Sequence, residues 1–296
     1  MADVVGFGES SVDHVHVVEA LPAPGVSKVR ISSRYSASGG QVATTVAACA
    51  ALGLSAGYLG PIGHDENGER VRADLLERGV DTSRILIREA ANRYAVILVE
   101  EHTGARVVLW HRDAGLDVDP NALAPRLIAG AKIVHVDATD EQASITLARA
   151  ARAGGALVTC DIDAVTPQTA ELLGTVTIPI LAEDVPQQMT GVTGTEAALR
   201  ALRARHSGLL CVTLGPRGAA ALDGDRFVHV PAVAVSAVDT TAAGDVFRAG
   251  VIYATLDGWP TERMLRFANA AAAVSCTRRG AMSSVPSLAD VESLLR

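Results

Sequence analysis

The sequence predicts an α/β protein of three layers, in which a mostly parallel central sheet lies between two layers of helices and a small second sheet covers one edge. Short, near-continuous apolar runs at 131–138, 155–163, 175–181 and 208–215 have the composition of strands buried on both faces. Segments of helical period separate them at 141–153, 166–173 and 194–206, which is the β–α–β rhythm of a parallel sheet. The third observation is a break in that rhythm. Strand-forming residues at about 12–37 and 92–111 are not spaced by helices and are predicted to form a small sheet of their own. Ligands in open α/β sheets sit beyond the strand C-termini, so a sheet covering that edge is expected to act as a lid. One domain is expected over 1–296, with the lid drawn from those two stretches.

In chain order, "DVVGFG" reads as a buried strand ending in glycine, and "VDHVHVV" as a second strand turned by "LPAPG". "KVRISSRYSAS" has partial strand alternation. "GGQVATTVAACAALG" is a helix with glycines before it and a glycine after it. "SAGYLGPIG" is read as one strand, and "DENGERVRADLLERGV" as a helix with apolar positions 71, 75 and 76. "NRYAVILV" and "ARVVLWH" flank "EEHTG" as a hairpin. After the alternating β–α region, "AALDGDRFVHV" reads as a late hairpin. Helices follow at 244–257 and 261–275, then a loop and a last helix in "SLADVESLL".

Composition narrows the class. The chain of 296 residues is 49% hydrophobic but only 3% aromatic, so its core must rest on Val, Leu, Ile and Ala. A net charge of −7 with no long basic run argues against nucleic acid as a partner. Cys49, Cys160, Cys211 and Cys276 lack metal-ligand spacing and read as small buried hydrophobes. No signal-peptide pattern opens the sequence, and charge or glycine interrupts each apolar run before it reaches a membrane span. A cytoplasmic enzyme or binding protein, with no membrane partner, is the expectation.

The chemistry is concentrated in "AVDTTAAGDVFRAG", residues 237–250. Ala242, Ala243 and Gly244 let backbone approach a ligand closely, and successive N–H groups at a helix start point at negative charge. Asp245 stands beside that cradle. A carboxylate there either caps the helix or has a task, and a suitable task is taking the proton of a hydroxyl that attacks a phosphoryl group. The stretch is not a Walker A loop, since no Lys-Ser/Thr follows the small residues.

These residues resemble the ribokinase-like, or PfkB, family of carbohydrate kinases. "DTTAAGDVF" is similar to the family's carboxyl-side signature, with Ala242 in place of its usual first glycine. "SGGQVATTVAACAALG" resembles its amino-side signature. Gly39 and Gly40 match there, and Thr44 takes the position of the usual substrate-binding Asn. "GESSVDHV" resembles the opening region whose aspartate binds sugar hydroxyls, which selects Asp13. "PIGHDENGERVRADLLERGVDTS" is similar to the segment after the amino-side helix. "VTLGPRGA" resembles the nucleotide-side turn and selects Thr213, Gly215 and Gly218. "RFANAAAAVSCTRRGAMSSVPS" resembles the adenine-side helix and cation loop. The ordered matches cover nearly the whole chain.

The resemblance implies the three-layer ribokinase-like fold with a β-sheet lid, and ATP-dependent phosphorylation of a sugar hydroxyl. Asp245 is then the base, with the N–H groups of Ala242, Ala243 and Gly244 on the transferring phosphate. Asp13, Gly39, Gly40 and Thr44 face the sugar, with Asp137 and Asp161 as further pocket candidates. Asn269 faces the nucleotide or serves as a cap. Magnesium is implied with ATP, but the family's N-x-x-E falls on Ala182 and Val185, leaving Glu183 or Asp184 to reach the metal's water shell. A potassium site is implied from Asp239 and Thr241 on one side and Ser275, Arg278, Gly280 and Ser284 on the other. The substrate expected is a neutral ketohexose or a related monosaccharide, with ribokinase, nucleoside kinase and a non-enzymatic sugar or nucleotide sensor as alternatives. A homodimer through the lid is the implied assembly. His14, His16, His111 and His135 form no metal pattern. Arg93, Arg106 and Arg112 beside the lid read as structural or solvated charges, with contact to a sugar substituent as the other use.

Overall fold

The computed structural model describes residues 2–296. The chain opens with β1 (Val4–Phe7), places β2 (Ser11–Val18) and β3 (Ile31–Gly39) in a second sheet, and returns through α1 (Gln41–Ala51) to β4 (Ala56–Tyr58). A short excursion follows, through β5 (Pro61–Gly63), α2 (Glu66–Glu77) and β6 (Leu86–Arg88), and β7 (Tyr94–Glu100) and β8 (Arg106–His111) then complete the second sheet. The alternating region runs β9 (Ile133–Val136), α3 (Glu141–Ala153), β10 (Leu157–Ile162), α4 (Thr169–Thr175), β11 (Ile178–Leu181), α5 (Val185–Thr190), α6 (Thr195–Leu202) and β12 (Leu210–Thr213). The antiparallel hairpin β13 (Ala219–Asp223) and β14 (Arg226–Val230) precedes the closing helices α7 (Ala243–Leu256), α8 (Thr261–Cys276) and α9 (Leu288–Leu295).

The main sheet has eight strands in the order β14-β13-β12-β11-β10-β9-β1-β4, and every pairing from β4 to β12 is parallel. Its alternate residues face different layers. Val5, Phe7, Val134, Val136, Val158, Cys160 and Ile162 pack with residues of α3, α4 and α6. Val4 and Ile133 pack with α1 and α7 through Val42, Val46, Val246 and Ile252. The chain leaves β1 for β4 on one side and returns to β9 on the other, so the strand order reverses between β1 and β9. A crevice opens at such a switch point beyond the strand C-termini. The second sheet, ordered β3-β2-β7-β8, lies near that end. Its β2–β7 pairing is parallel and its other two are antiparallel.

Three sequence-based readings need correction. The stretch 55–63 holds two strands in different sheets, β4 beside β1 and β5 beside β6. The strand β6 and the six-residue α5 were not foreseen. Leu76 is exposed although it was grouped with the apolar stripe of α2, whose buried side chains are Val71 and Leu75. The four cysteines are all free, and only Cys276 is not fully buried.

Candidate active site

Two helix starts face the crevice. The helix α1 begins at Gly40, whose φ of 96° lies in the left-handed region, and a Cβ there would fall 2.5 Å from Cα of Ser10. The position therefore tolerates only glycine, for steric and conformational reasons. The helix α7 begins at Ala242, also left-handed at φ 65° and ψ 4°. It is the one non-glycine residue of positive φ among the described residues. Gly244 and Asp245 follow in the first turn, where N–H groups have no acceptor inside the helix, while Ala243 N–H reaches the Thr240 carbonyl at 3.3 Å. The two starts are tied together, since Thr45 Oγ1 lies 2.8 Å from the Gln41 carbonyl and 3.2 Å from that of Asp245.

Asp245 is nearly buried, at 13% side-chain exposure. Burial drives its carboxyl well above the usual range, and the adjacent Arg248 guanidinium pulls in the opposite direction. Arg248 Nη1 donates to Asp245 Oδ1 at 2.9 Å, and Nη2 donates to Asp161 Oδ1. Asp161 is thereby placed behind Arg248, with its carboxylate fully buried. Asp137 is also fully buried; its Oδ2 accepts from Glu9 N–H at 2.7 Å and its Oδ1 from Thr139 N–H at 3.0 Å. Those bonds lock the ends of β1 and β9 together at the switch point. Burial pushes Asp137 up to about 6 and Glu9 up to about 7.

On the second sheet, Asp13 receives a long contact from Ser11 Oγ at 3.5 Å, and burial raises its carboxyl. Gly39 adjoins it: a Cβ at Gly39 would stand 3.5 Å from Asp13 Oδ2. Thr44 is fully buried and its hydroxyl has no partner. A cavity of about 370 Å³ opens beside the ends of β1 and β9, lined by Glu9, Gln41, Arg93, Trp110, Arg112 and Asp163. Both of its arginines already face carboxylates. Arg93 Nε is 2.8 Å from Glu9, and Arg112 binds Asp117 and both oxygens of Asp140. Arg93 also stacks on Trp110, 5.4 Å from the ring centroid.

Asp239 joins two loops. Its Oδ1 accepts from Thr241 N–H and its Oδ2 from Gly280 N–H, each at 2.9 Å. Burial opposes its ionisation, but these bonds outweigh burial and hold its carboxyl below the usual range. Ser275 and Ser284 are fully buried beside this clamp, with hydroxyls on the carbonyls of Ala272 and Ala281. Arg278 points elsewhere, to the Val285 carbonyl and Asp290. A second cavity, of about 430 Å³, runs from Asp239 and Thr241 along Arg279 to Tyr35, Ile97 and Arg106 of the second sheet.

The remaining candidates lie near β12 and β13. Thr213 ends β12, and Gly215 and Gly218 bracket the turn into β13. Asn269 donates its amide to the carbonyls of Val230 and Pro231, which fastens α8 to the end of β14. Glu183 is paired with Arg217. Sequence reasoning overlooked Glu9, Gln41, Trp110 and Arg248 as site groups. Arg248 follows Asp245 by one helical turn, a spacing that by itself usually marks a solvated ion pair on a helix surface.

Residues 1–288 match the family described as pfkB family carbohydrate kinase. The chain is 30% identical to an ATP-dependent ribose-1-phosphate kinase of Halopiger xanaduensis, over 96% of this chain and 95% of that protein. It is 28% identical to fructokinase-1 of Oryza sativa subsp. japonica, over 99% and 97%. Among solved structures, the ribokinase of Arabidopsis thaliana complexed with ribose and ATP superposes with a TM-score of 0.87 at 25% identity, covering 100% of this chain and 99% of that one.

Proposed function

The chain belongs to the pfkB family of carbohydrate kinases, phosphotransferases acting on sugar hydroxyls, and from that premise we propose that it transfers the γ-phosphate of ATP to a primary hydroxyl of a neutral monosaccharide, a ketohexose or a close relative. The observation that carries the neutral acceptor is the charge of the cleft. Its cations, Arg93 and Arg112, are already matched by Glu9, Asp117 and Asp140, and acids are in surplus. Carboxylates accept hydrogen bonds from sugar hydroxyls but repel a phosphorylated sugar.

In this reading Asp13 and the Gly39–Gly40 turn receive the sugar, with Thr44 and Asp137 shaping the floor of the pocket. Asp161 acts from behind Arg248. Asp245 takes the proton of the attacking hydroxyl as its oxygen bonds to the γ-phosphorus and the bond to ADP breaks. The N–H groups of the Ala242–Gly244 turn face the charge that develops on the phosphoryl oxygens. Thr213, Gly215 and Gly218 form the nucleotide side. Asn269 serves that side by holding the β14 end in place.

Magnesium bound with the nucleotide would supply neutralisation of phosphate charge. Glu183, the protein group nearest to that role in the sequence, is paired with Arg217 and would have to leave that pair to reach the metal's water shell. A potassium ion is proposed beside the Asp239 clamp, with carbonyls of the Thr241 and Ser275–Gly280 loops and Ser284 as its candidate ligands. The second sheet is the lid over the sugar, and it carries a surface for a second copy of the chain. Among the described residues no helix is long and apolar enough to cross a membrane.

The test is a coupled ATPase assay over fructose, ribose, ribose 1-phosphate and nucleosides, with magnesium and potassium supplied. The highest kcat/KM is expected with a ketohexose; a preference for the sugar phosphate would overturn the neutral acceptor. Asp245→Asn is expected to lower kcat by roughly 10²–10⁴-fold while sugar binding persists. Unchanged turnover in that variant would remove Asp245 as the base.

A further inference from the structure

Arg248 is the unusual group of this site. It sits one turn beyond Asp245 on α7 with its side chain 8% exposed, under a carboxylate rather than at the surface. Its guanidinium fork holds two carboxylates from different layers, Asp245 on the helix and Asp161 on β10. Arg248 Nε and Asp161 Oδ2 are buried with no partner. No protein donor reaches the second oxygen of Asp245 among the described residues. Gly244 gives the fork its space, because a Cβ there would come 2.9 Å from Arg248 Nη1. Beneath the pair, in the next row of the same sheet face, His135 Nδ1 is 2.9 Å from Thr159 Oγ1, and burial holds this histidine neutral, near 3. For stability alone, an apolar side chain of similar volume serves at least as well as a buried ion cluster. The cluster therefore points to a role in the reaction.

We propose that Arg248, braced by Asp161, is a positioning residue of phosphoryl transfer: it grips Oδ1 of Asp245, turns Oδ2 toward the sugar hydroxyl, and sets a positive charge beside this base. The proposal rests on the reading of Asp245 as the base. The charged groups facing Asp245 are Asp161 from β10, Asp137 from the end of β9, Glu9 from the end of β1, and Arg248 from α7 itself; α1 contributes the uncharged Thr45. Three are acids and one is a cation. Burial and the three acids favour the protonated form, in which Asp245 cannot accept a proton. Arg248 and the α7 N-terminus oppose them. A planar fork meets both carboxylates at once, whereas an ammonium cannot hold both in one fixed geometry.

The test separates grip from charge. Arg248→Met removes both: kcat is expected to fall on the order of 10²-fold, with KM changed little. The acid limb of the kcat–pH profile is expected to move up by roughly 1–3 pH units, because activity is lost as pH falls through the Asp245 pKa and that pKa is now higher. Arg248→Lys keeps the charge and loses the fork, so kcat falls while the acid limb stays. Adding Arg248→Met to Asp245→Asn is expected to cause no further loss, since Arg248 acts through Asp245. A folded Arg248→Met enzyme with the wild-type acid limb would overturn the proposal. Should that variant not fold, wild-type kcat in Arg248→Lys overturns it instead. Carbon-13 titration of the Asp245 carboxyl in sugar-free wild type and Arg248→Met, assigned by loss of the signal in Asp245→Asn, reads the pairing without any turnover. If wild type phosphorylates no sugar but the carboxyl pKa rises in Arg248→Met, the kinase reading fails while the pairing stands. An unmoved carboxyl pKa sinks the pairing whatever the enzyme phosphorylates.

Discussion

Ala242 starts α7 in a conformation that costs an L-residue about 1–2 kcal/mol and glycine almost nothing. Ala242→Gly is therefore expected to stabilise the protein by about 1 kcal/mol, the gain being trimmed by the extra freedom of glycine in the unfolded chain. Thermal unfolding should show a midpoint about 2 °C higher; a lower midpoint would mean that the alanine methyl makes contacts worth more than the strain. At this scale Asp245 was legible in the sequence, because small residues before a helix and an acid in its first turn leave a local pattern. Arg248 was not. A basic residue three positions after an acid on a helix usually marks a solvated face, and its burial is decided by Asp161, 87 residues away.

The edge strand β8 shows how elements differ in legibility. Strand-forming runs around a turn made the β7–β8 hairpin readable, yet alternation alone did not reveal that β8 is exposed on both faces, with Leu109 58% and Trp110 64% accessible. An apolar edge strand with free N–H and C=O groups is a pairing surface. A second copy of this chain is the proposed occupant, and Leu109→Lys is expected to shift the oligomer toward monomer in light scattering after size exclusion. An unaltered mass would place the contact between copies elsewhere. The buried parallel strands were legible because both of their faces are apolar. The short β6 and α5 were not, because three and six residues are too few to show a period. The run 55–63 was misread because its two strands are equally apolar and diverge only through their partners.

Across the whole molecule, the acids gathered at the switch point set the response to pH. The folded state raises Glu9 to about 7 through burial. Its contribution is full below the ordinary value near 4.5 and is lost as pH rises through 7. A tenfold change in proton affinity is about 1.4 kcal/mol, so ionising Glu9 in place destabilises the fold by about 3 kcal/mol above pH 7. Glu9→Gln, which keeps an acceptor for Arg93, should raise the melting temperature of the ligand-free protein at pH 8 and converge with wild type near pH 4.5. An equal offset at both pH values would refute this linkage. His135 acts oppositely: neutral when folded, it loses stability for the protein as pH falls from about 6.5 toward 3. A crevice beyond the strand C-termini was expected from the β–α–β rhythm and the motif, but its charge state was not legible, because it comes from burial that only the assembled sheet provides. The Thr45 hydroxyl has a consequence at the same scale. By bonding the backbone of α1 and the backbone of Asp245, it makes the turn proposed to receive sugar and the turn proposed to receive phosphate parts of one rigid ruler. In the proposed reading the span between acceptor and donor is then set by two packed helices, so that opening of the overlying sheet would leave the line along which phosphorus travels unchanged.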